Sequence, residues 1–160
     1  MSNRLPVCPR TSSGLRRATS RNAGSSEPMR FLLDTDTCIY ALKQNEHVVQ
    51  RLLSTAREDV VVSVITEAEL RTGAAKSSAP VKTLHLVENF LRPITLIEFT
   101  SLDAIAYAGV RAKLERAGTP IGPLDTLIAS QAVARRLTLV SNNEREFRRV
   151  SGLKLENWWR

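Results

Sequence analysis

A chain of 160 residues, 42% hydrophobic and 24% charged, has apolar material for one core, and splitting it would leave each half too small to stand without staples. The net charge is +7, but the first 28 residues hold Arg4, Arg10, Arg16, Arg17 and Arg21 against Glu27 alone, so the remainder is only mildly basic at +3, which permits a phosphate-bearing partner without requiring one. Two cysteines, Cys8 and Cys38, exclude a disulfide framework and read as reduced thiols, and no run approaches the ~18 to 20 apolar residues of a membrane span, so a soluble, cytoplasmic protein is expected.

Residues 1–28 are rich in Ser, Arg, Gly and Pro and lack apolar periodicity, the composition of a disordered leader. They have no apolar core of the kind a signal peptide needs. Their Arg- and Ser-rich, acid-poor make-up suits an organellar transit peptide, and the duller reading is sequence ahead of a true start at Met29. Residues 29–160 are expected to form one domain.

Strand and helix signals alternate from Met29 onward, which predicts an α/β fold: a central parallel, Rossmann-like sheet of four to five strands flanked by helices. Phe31-Leu32-Leu33 is a short apolar strand ended by Asp34, and a helix is expected from about Thr37. Val60 to Ile65 is β-branched almost throughout, as a strand buried on both faces would be. Thr66 is expected to open a helix, with Glu69 three residues on completing a capping box. Residues 81–91 carry apolar positions at helical spacing, and Pro93 separates them from a third strand, Ile94 to Phe99. A helix over about 102–117 follows, capped by Thr100 or Ser101 and closed by Gly118 at the C′ position. Pro120, Gly122 and Pro123 make a stiff connector, and Pro123 suits the first turn of a helix to about Arg135, placing Asp125 near its N-terminus. Leu137 to Val140 is a fourth strand and Leu153 to Leu155 a fifth.

In doubly wound sheets, ligands bind beyond the carboxyl ends of the strands. Asp34 follows strand one, Glu69 lies one turn into the helix after strand two, Asp125 opens the helix leading to strand four, and Ser141-Asn142-Asn143 follows that strand. Three carboxylates converging there repel one another, and a hard divalent cation such as Mg²⁺ or Mn²⁺ relieves the repulsion through oxygen ligands. A water held by such an ion is a nucleophile for phosphodiester hydrolysis. Each acid also has a plainer use: Glu69 in its capping box, Asp125 against the helix dipole, Asp36 as ligand, cap or solvated charge. Asp34 has no capping duty in this reading, which sets it apart.

Four segments carry a resemblance: FLLDTDTCIYALK (31–43), SVITEAELRTGAAKS (63–77), IGPLDTLIASQAVARRLTLVSNN (121–143) and REFRRVSGLKLENW (145–158). In this order, from Met29 to about Trp158, they resemble PIN-domain toxins of the VapC type from bacterial toxin–antitoxin pairs. The resemblance implies a PIN fold, a homodimer, one or two Mg²⁺ or Mn²⁺ ions, endoribonuclease activity on RNA, and inhibition by a cognate VapB-like antitoxin. It maps the family's three acids onto Asp34, Glu69 and Asp125 as catalytic and metal-binding residues. The fourth position, often Asp in relatives, falls on Asn143, with Glu146 one turn away. Ser141 matches a supporting hydroxyl, and Asp36 stands where many relatives have Asn, restoring some negative charge.

Arg145, Arg148 and Arg149 beside the SNN segment are expected to steady substrate phosphates. Trp158 and Trp159 could stack on bases, although packing is the commoner use at a chain end. His47 and His85 lack partners at zinc spacing, and no phosphate-cradling GxxxxGK[ST] loop occurs. The rival enzyme reading is a haloacid-dehalogenase-like phosphatase, because LLDTDT has that group's strand-then-DxDxT form, in which the first Asp attacks phosphorus. It needs a downstream Lys and a late paired-Asp element, and neither is evident. A further alternative is a catalytically inactive PIN-fold binding module.

Overall fold

The computed structural model describes residues 30–160; the leader reading for 1–28 and the start at Met29 lie outside them. In chain order the elements are β1 (Phe31–Leu33), α1 (Thr35–Leu42), α2 (Glu46–Ser54), a 3₁₀ turn at Arg57–Asp59, β2 (Val60–Ser63), α3 (Val64–Ala75), α4 (Pro80–Leu91), β3 (Thr95–Ile97), α5 (Ser101–Arg116), α6 (Pro123–Arg135), β4 (Thr138–Val140), α7 (Glu144–Phe147) and β5 (Lys154–Glu156). The five strands form one sheet in the order β3-β2-β1-β4-β5, and every pairing is parallel.

The apolar runs of β1, β2 and β4 are continuous because each strand is covered on both faces. Phe31, Leu33, Val60, Val62 and Val140 point into a core shared with Cys38, Val48, Leu70, Val87 and Leu91 of α1 to α4. Leu32, Val61 and Leu139 point the other way, into a core closed by Leu114, Ile128, Ala129, Ala132 and Phe147 of α5, α6 and α7. No helix among the described residues is long and apolar enough to cross a membrane.

β3, β4 and β5 span Thr95–Ile97, Thr138–Val140 and Lys154–Glu156 rather than Ile94 to Phe99, Leu137 to Val140 and Leu153 to Leu155, and three further boundaries differ from the sequence reading because a side chain nearer the strand end caps the helix. α1 begins at Thr35 rather than Thr37, since Asp34 has extended backbone and its Oδ1 accepts from Thr35 N at 2.8 Å. Asp34 therefore does cap a helix. β2 stops at Ser63, whose hydroxyl accepts from Ile65 N at 3.1 Å, so α3 starts at Val64. Glu69 then sits in the second turn and closes no capping box. Such a box forms on α5 instead, where the Thr100 backbone N–H donates to Asp103 Oδ2 at 2.7 Å. Gly118 takes φ +66° just past α5, as its C′ placement requires, and Pro123 opens α6. The sequence reading did not separate α2, whose apolar positions do keep a helical period, or α7, which is only four residues long.

Candidate active site

The strand order places the carboxyl ends of β1 and β4 side by side, where the order reverses and a crevice opens. Asp34 leaves β1 into this crevice and Ser141 leaves β4 beside it. Ser141 Oγ donates to Asp34 Oδ2 at 2.7 Å and accepts from Asn143 N at 3.0 Å. Asp36, in the first turn of α1, accepts from Asn142 N at 3.2 Å. Thr37 Oγ1 donates to Val140 O at 2.9 Å, fastening α1 to the end of β4.

Glu69 reaches the same edge from α3: Thr35 Oγ1 donates to its Oε2 at 2.5 Å. One residue, Thr35, thus ties the Asp34 cap through its backbone and Glu69 through its hydroxyl. Asp125 stands in the first turn of α6. A Cβ placed on Gly122 would lie 2.8 Å from Asp125 Oδ2, so a glycine here leaves the space the carboxylate occupies.

The electrostatics identify which acids share the crevice. Asp34, 4% exposed, is pushed up to about 8 by burial first, then by Asp36, with Asp125 adding to the rise against the hydrogen bonds from Ser141 and Thr35. Asp125 is pushed up to about 6 by burial, then by Glu146, Glu69 and Asp36. Asp34 thus feels Asp36 and Asp125, and Asp125 feels Glu146, Glu69 and Asp36. None of Asp34, Asp36, Glu69 and Asp125 is ion-paired with Arg or Lys among the described residues. No three acids among the described residues converge closely enough to clasp an ion as they stand, so the expected convergence of Asp34, Glu69 and Asp125 on one ion is not seen here. An all-oxygen donor set with uncompensated charge suits a hard divalent ion.

Glu146 is the participant the sequence reading left aside. Its signal was its position one turn beyond Asn143, on the exit of β4. Asn143 stands at the N-cap of α7 and its backbone N–H, not its side chain, contacts Ser141, so the acid facing Asp125 comes from the next turn.

The arginines divide. Arg148 pairs with Glu144 within α7, and Arg149 Nη1 donates to Pro120 O at 3.2 Å. Arg145 is exposed with no acidic partner among the described residues. Arg135 grips buried Asp103 through Nη2 at 2.8 Å and Nε at 3.1 Å and donates to Glu98 O at 2.6 Å, a structural clamp. Trp158 is buried edge-on against Phe31, and Trp159 stacks on Tyr40, so both are occupied in packing. Cys38 is a free, buried thiol, and His47 and His85 are exposed on α2 and α4.

The family model for the PIN domain matches residues 31–153. The chain is 42% identical over 132 residues to the tRNA(fMet)-specific endonuclease VapC of Salmonella typhimurium, covering 81% of this chain and 98% of that protein. It is 37% identical over 130 residues to the protein of the same name from Shigella flexneri, with the same coverage. Among solved structures it superposes on the crystal structure of DNA-bound VapBC from Salmonella typhimurium with a TM-score of 0.78 and 40% identity, covering 81% of this chain and 98% of that one.

Proposed function

The chain belongs to the PIN-domain family, in its VapC group, and from that premise we propose that it is the toxin of a type II toxin–antitoxin pair, a metal-dependent endoribonuclease. The observation that carries the reading is the crevice itself: five carboxylates at one sheet edge, the innermost pushed up to about 8 by burial and its neighbours. Burying acids without cations destabilises a fold, and sites that do so are functional-site candidates.

Asp34, Glu69 and Asp125 are the proposed catalytic residues and would hold Mg²⁺ or Mn²⁺, with Glu146 supplying the fourth carboxylate that Asn143 does not. Asp36, Ser141 and Asn143 support them. When bound, the ion supplies positive charge for the acids and lowers the pKa of a water to the range of a nucleophile. The chain's own residues arrange the rest. Ser141 and the Thr35 backbone orient the two oxygens of Asp34, the Thr35 hydroxyl aims Glu69, and Gly122 keeps room for Asp125. Arg145, with Arg148 and Arg149 behind it on the α7 surface, steadies the phosphodiester backbone of a bound RNA.

The Salmonella and Shigella relatives are named for cleavage of tRNA(fMet), so transfer RNA in the cytoplasm is the substrate proposed first. A cognate VapB-like antitoxin and a second copy of the chain are the proposed partners. Exposed Val81 and Leu86 on α4 and Leu102 and Ile105 on α5 supply apolar surface for them. The proposed domain is residues 29–160.

The test is cleavage of tRNA and other structured RNAs by the purified chain with Mg²⁺ or Mn²⁺. Discrete fragments are expected, abolished by EDTA and reduced by orders of magnitude in Asp34→Asn and Asp125→Asn, with no phosphate released from p-nitrophenyl phosphate. In cells, Asp34→Asn relieves growth arrest. Antitoxin binding without any RNA cleavage would mark an inactive module, and phosphate release without RNA cleavage a phosphatase.

A further inference from the structure

Next to Asp125 the surface holds a small cleft that the acids do not use. Its volume is about 260 Å³, and Tyr107, Arg111, Leu114, Glu115, Pro120, Ile121, Pro123 and Thr126 line it. Pro123 and Thr126 flank Asp125 in the first turns of α6, so the cleft opens at the helix start that carries this acid, while Asp125 itself does not line it. At this size, below the ~300 Å³ at which drug-sized ligand pockets begin, it suits one planar base.

One wall is a ladder of polar side chains a turn apart on α5. Arg111 Nε donates to Glu115 Oε1 at 2.7 Å, and Arg111 Nη1 donates to Tyr107 Oη at 2.8 Å, with the guanidinium 5.8 Å from the ring centroid. These bonds hold the guanidinium and phenol rings in place and leave Glu115 Oε2 and Arg111 Nη2 without partners among the described residues. Leu114, buried, forms the floor. The facing wall is the connector, stiffened by Pro120 and Pro123 and braced by Arg149 Nη1 on Pro120 O.

We infer that this cleft is a guanine-binding subsite that selects which phosphodiester of a bound RNA meets the acids; the inference rests on the nuclease reading above. Tyr107 offers a π-face on which a single-stranded base stacks. The hydrogen-bonding groups narrow the choice of base. Glu115 only accepts and Arg111 only donates. Guanine alone sets two adjacent N–H donors, N1–H and the N2 amino group, beside the O6 acceptor, whereas adenine and cytosine offer one amino group next to an acceptor and uracil one N–H between two acceptors. The free Oε2 of Glu115 accepts from the guanine donors and the free Nη2 of Arg111 donates to O6.

The experiment measures binding and cleavage separately on the full chain. Binding uses fluorescence anisotropy in EDTA with pentaribonucleotides UUGUU, UUAUU, UUCUU and UUUUU. The wild-type chain is expected to bind UUGUU at least tenfold more tightly than the others. Glu115→Gln, which replaces one acceptor by a donor, should erase that preference while leaving UUUUU binding unchanged. Tyr107→Leu should weaken all four about tenfold, the loss of one base stack, whereas Tyr107→Phe keeps the stack and stays within twofold. Glu115 is exposed and Tyr107 partly so, and unchanged melting temperatures would show that the fold persists. No preference for guanine in the wild-type chain, or a preference that survives Glu115→Gln, overturns the subsite. RNA cleavage with Mn²⁺ is read separately: its loss in the wild-type chain would overturn the nuclease reading, and its presence alongside base-blind binding would overturn the subsite alone.

Discussion

Replacing Asp34 by Asn should make the metal-free protein more stable while abolishing cleavage. Asp34 is 4% exposed and pushed up to about 8 by burial and then Asp36, against ~3.9 for an unfolded aspartate. The folded state thus binds the proton more tightly than the unfolded chain. The penalty is absent below the unfolded value, where both states are protonated. It grows as pH rises and levels off above the folded value. At ~1.36 kcal/mol per pKa unit, the four-unit gap sets an upper bound of about 5 kcal/mol near pH 8. Asn escapes that penalty and keeps the local geometry, since its Oδ1 still accepts from Thr35 N and its amide donates to Ser141 Oγ, which reverses its role. Allowing for imperfect bonds, the gain should be about 2–4 kcal/mol, or roughly 10 °C for a domain of this size. Thermal melts followed by circular dichroism in EDTA at pH 5 and pH 8 test this. The variant should melt well above wild type at pH 8 and much closer to it at pH 5, and Mn²⁺ should close the pH 8 gap by stabilising wild type. An Asp34→Asn protein no more stable than wild type at pH 8, or a gap indifferent to pH, would refute the account of a repulsive, cation-seeking crevice.

Gly122→Ala puts a Cβ 2.8 Å from Asp125 Oδ2; at φ −52°, ψ 145° alanine is tolerated, so stability should hold within ~0.5 kcal/mol while cleavage drops at least tenfold, and unchanged kcat/KM would show that Asp125 needs no such space. Arg135→Met leaves Asp103 buried and unpaired, which should cost about 3–5 kcal/mol in urea unfolding. Burial works to raise the Asp103 carboxyl, but the Arg135 and Thr100 hydrogen bonds outweigh it and hold it below its usual value. The stability from this clamp is therefore present above the unfolded pKa and lost as pH falls through the lowered folded one. Acid titration of the wild type should show that loss and Arg135→Met should not. A chain beginning at Met29 should keep its melting temperature and its cleavage activity, because the sequence of residues 1–28 lacks apolar periodicity; a large fall in either would show that these residues contribute.

Much of this was legible along the chain. The β-branched and aliphatic runs at 31–33, 60–63 and 138–140 announced strands covered on both faces, and Pro123 and Gly118 marked where helices begin and end, because these signals report hydrogen bonds and dihedrals within a few residues. Asp34 and Asp125 were visible as acids at the ends of such elements. What the sequence could not state is which side chains from distant elements meet. Glu69 carried two readings, metal ligand and capping-box residue, and the start of α3 at Val64 removes the second, while its carboxylate accepts from the Thr35 hydroxyl, 34 residues away. Glu146 gained its place opposite Asp125 only from the order β3-β2-β1-β4-β5, which lays the exit of β4 beside that of β1. The same folding took Arg135 into a clamp on buried Asp103 that its charge alone did not reveal. A local pattern is set by backbone energetics within one element, whereas a crevice is set by which strand ends lie side by side, and only the packed sheet decides that.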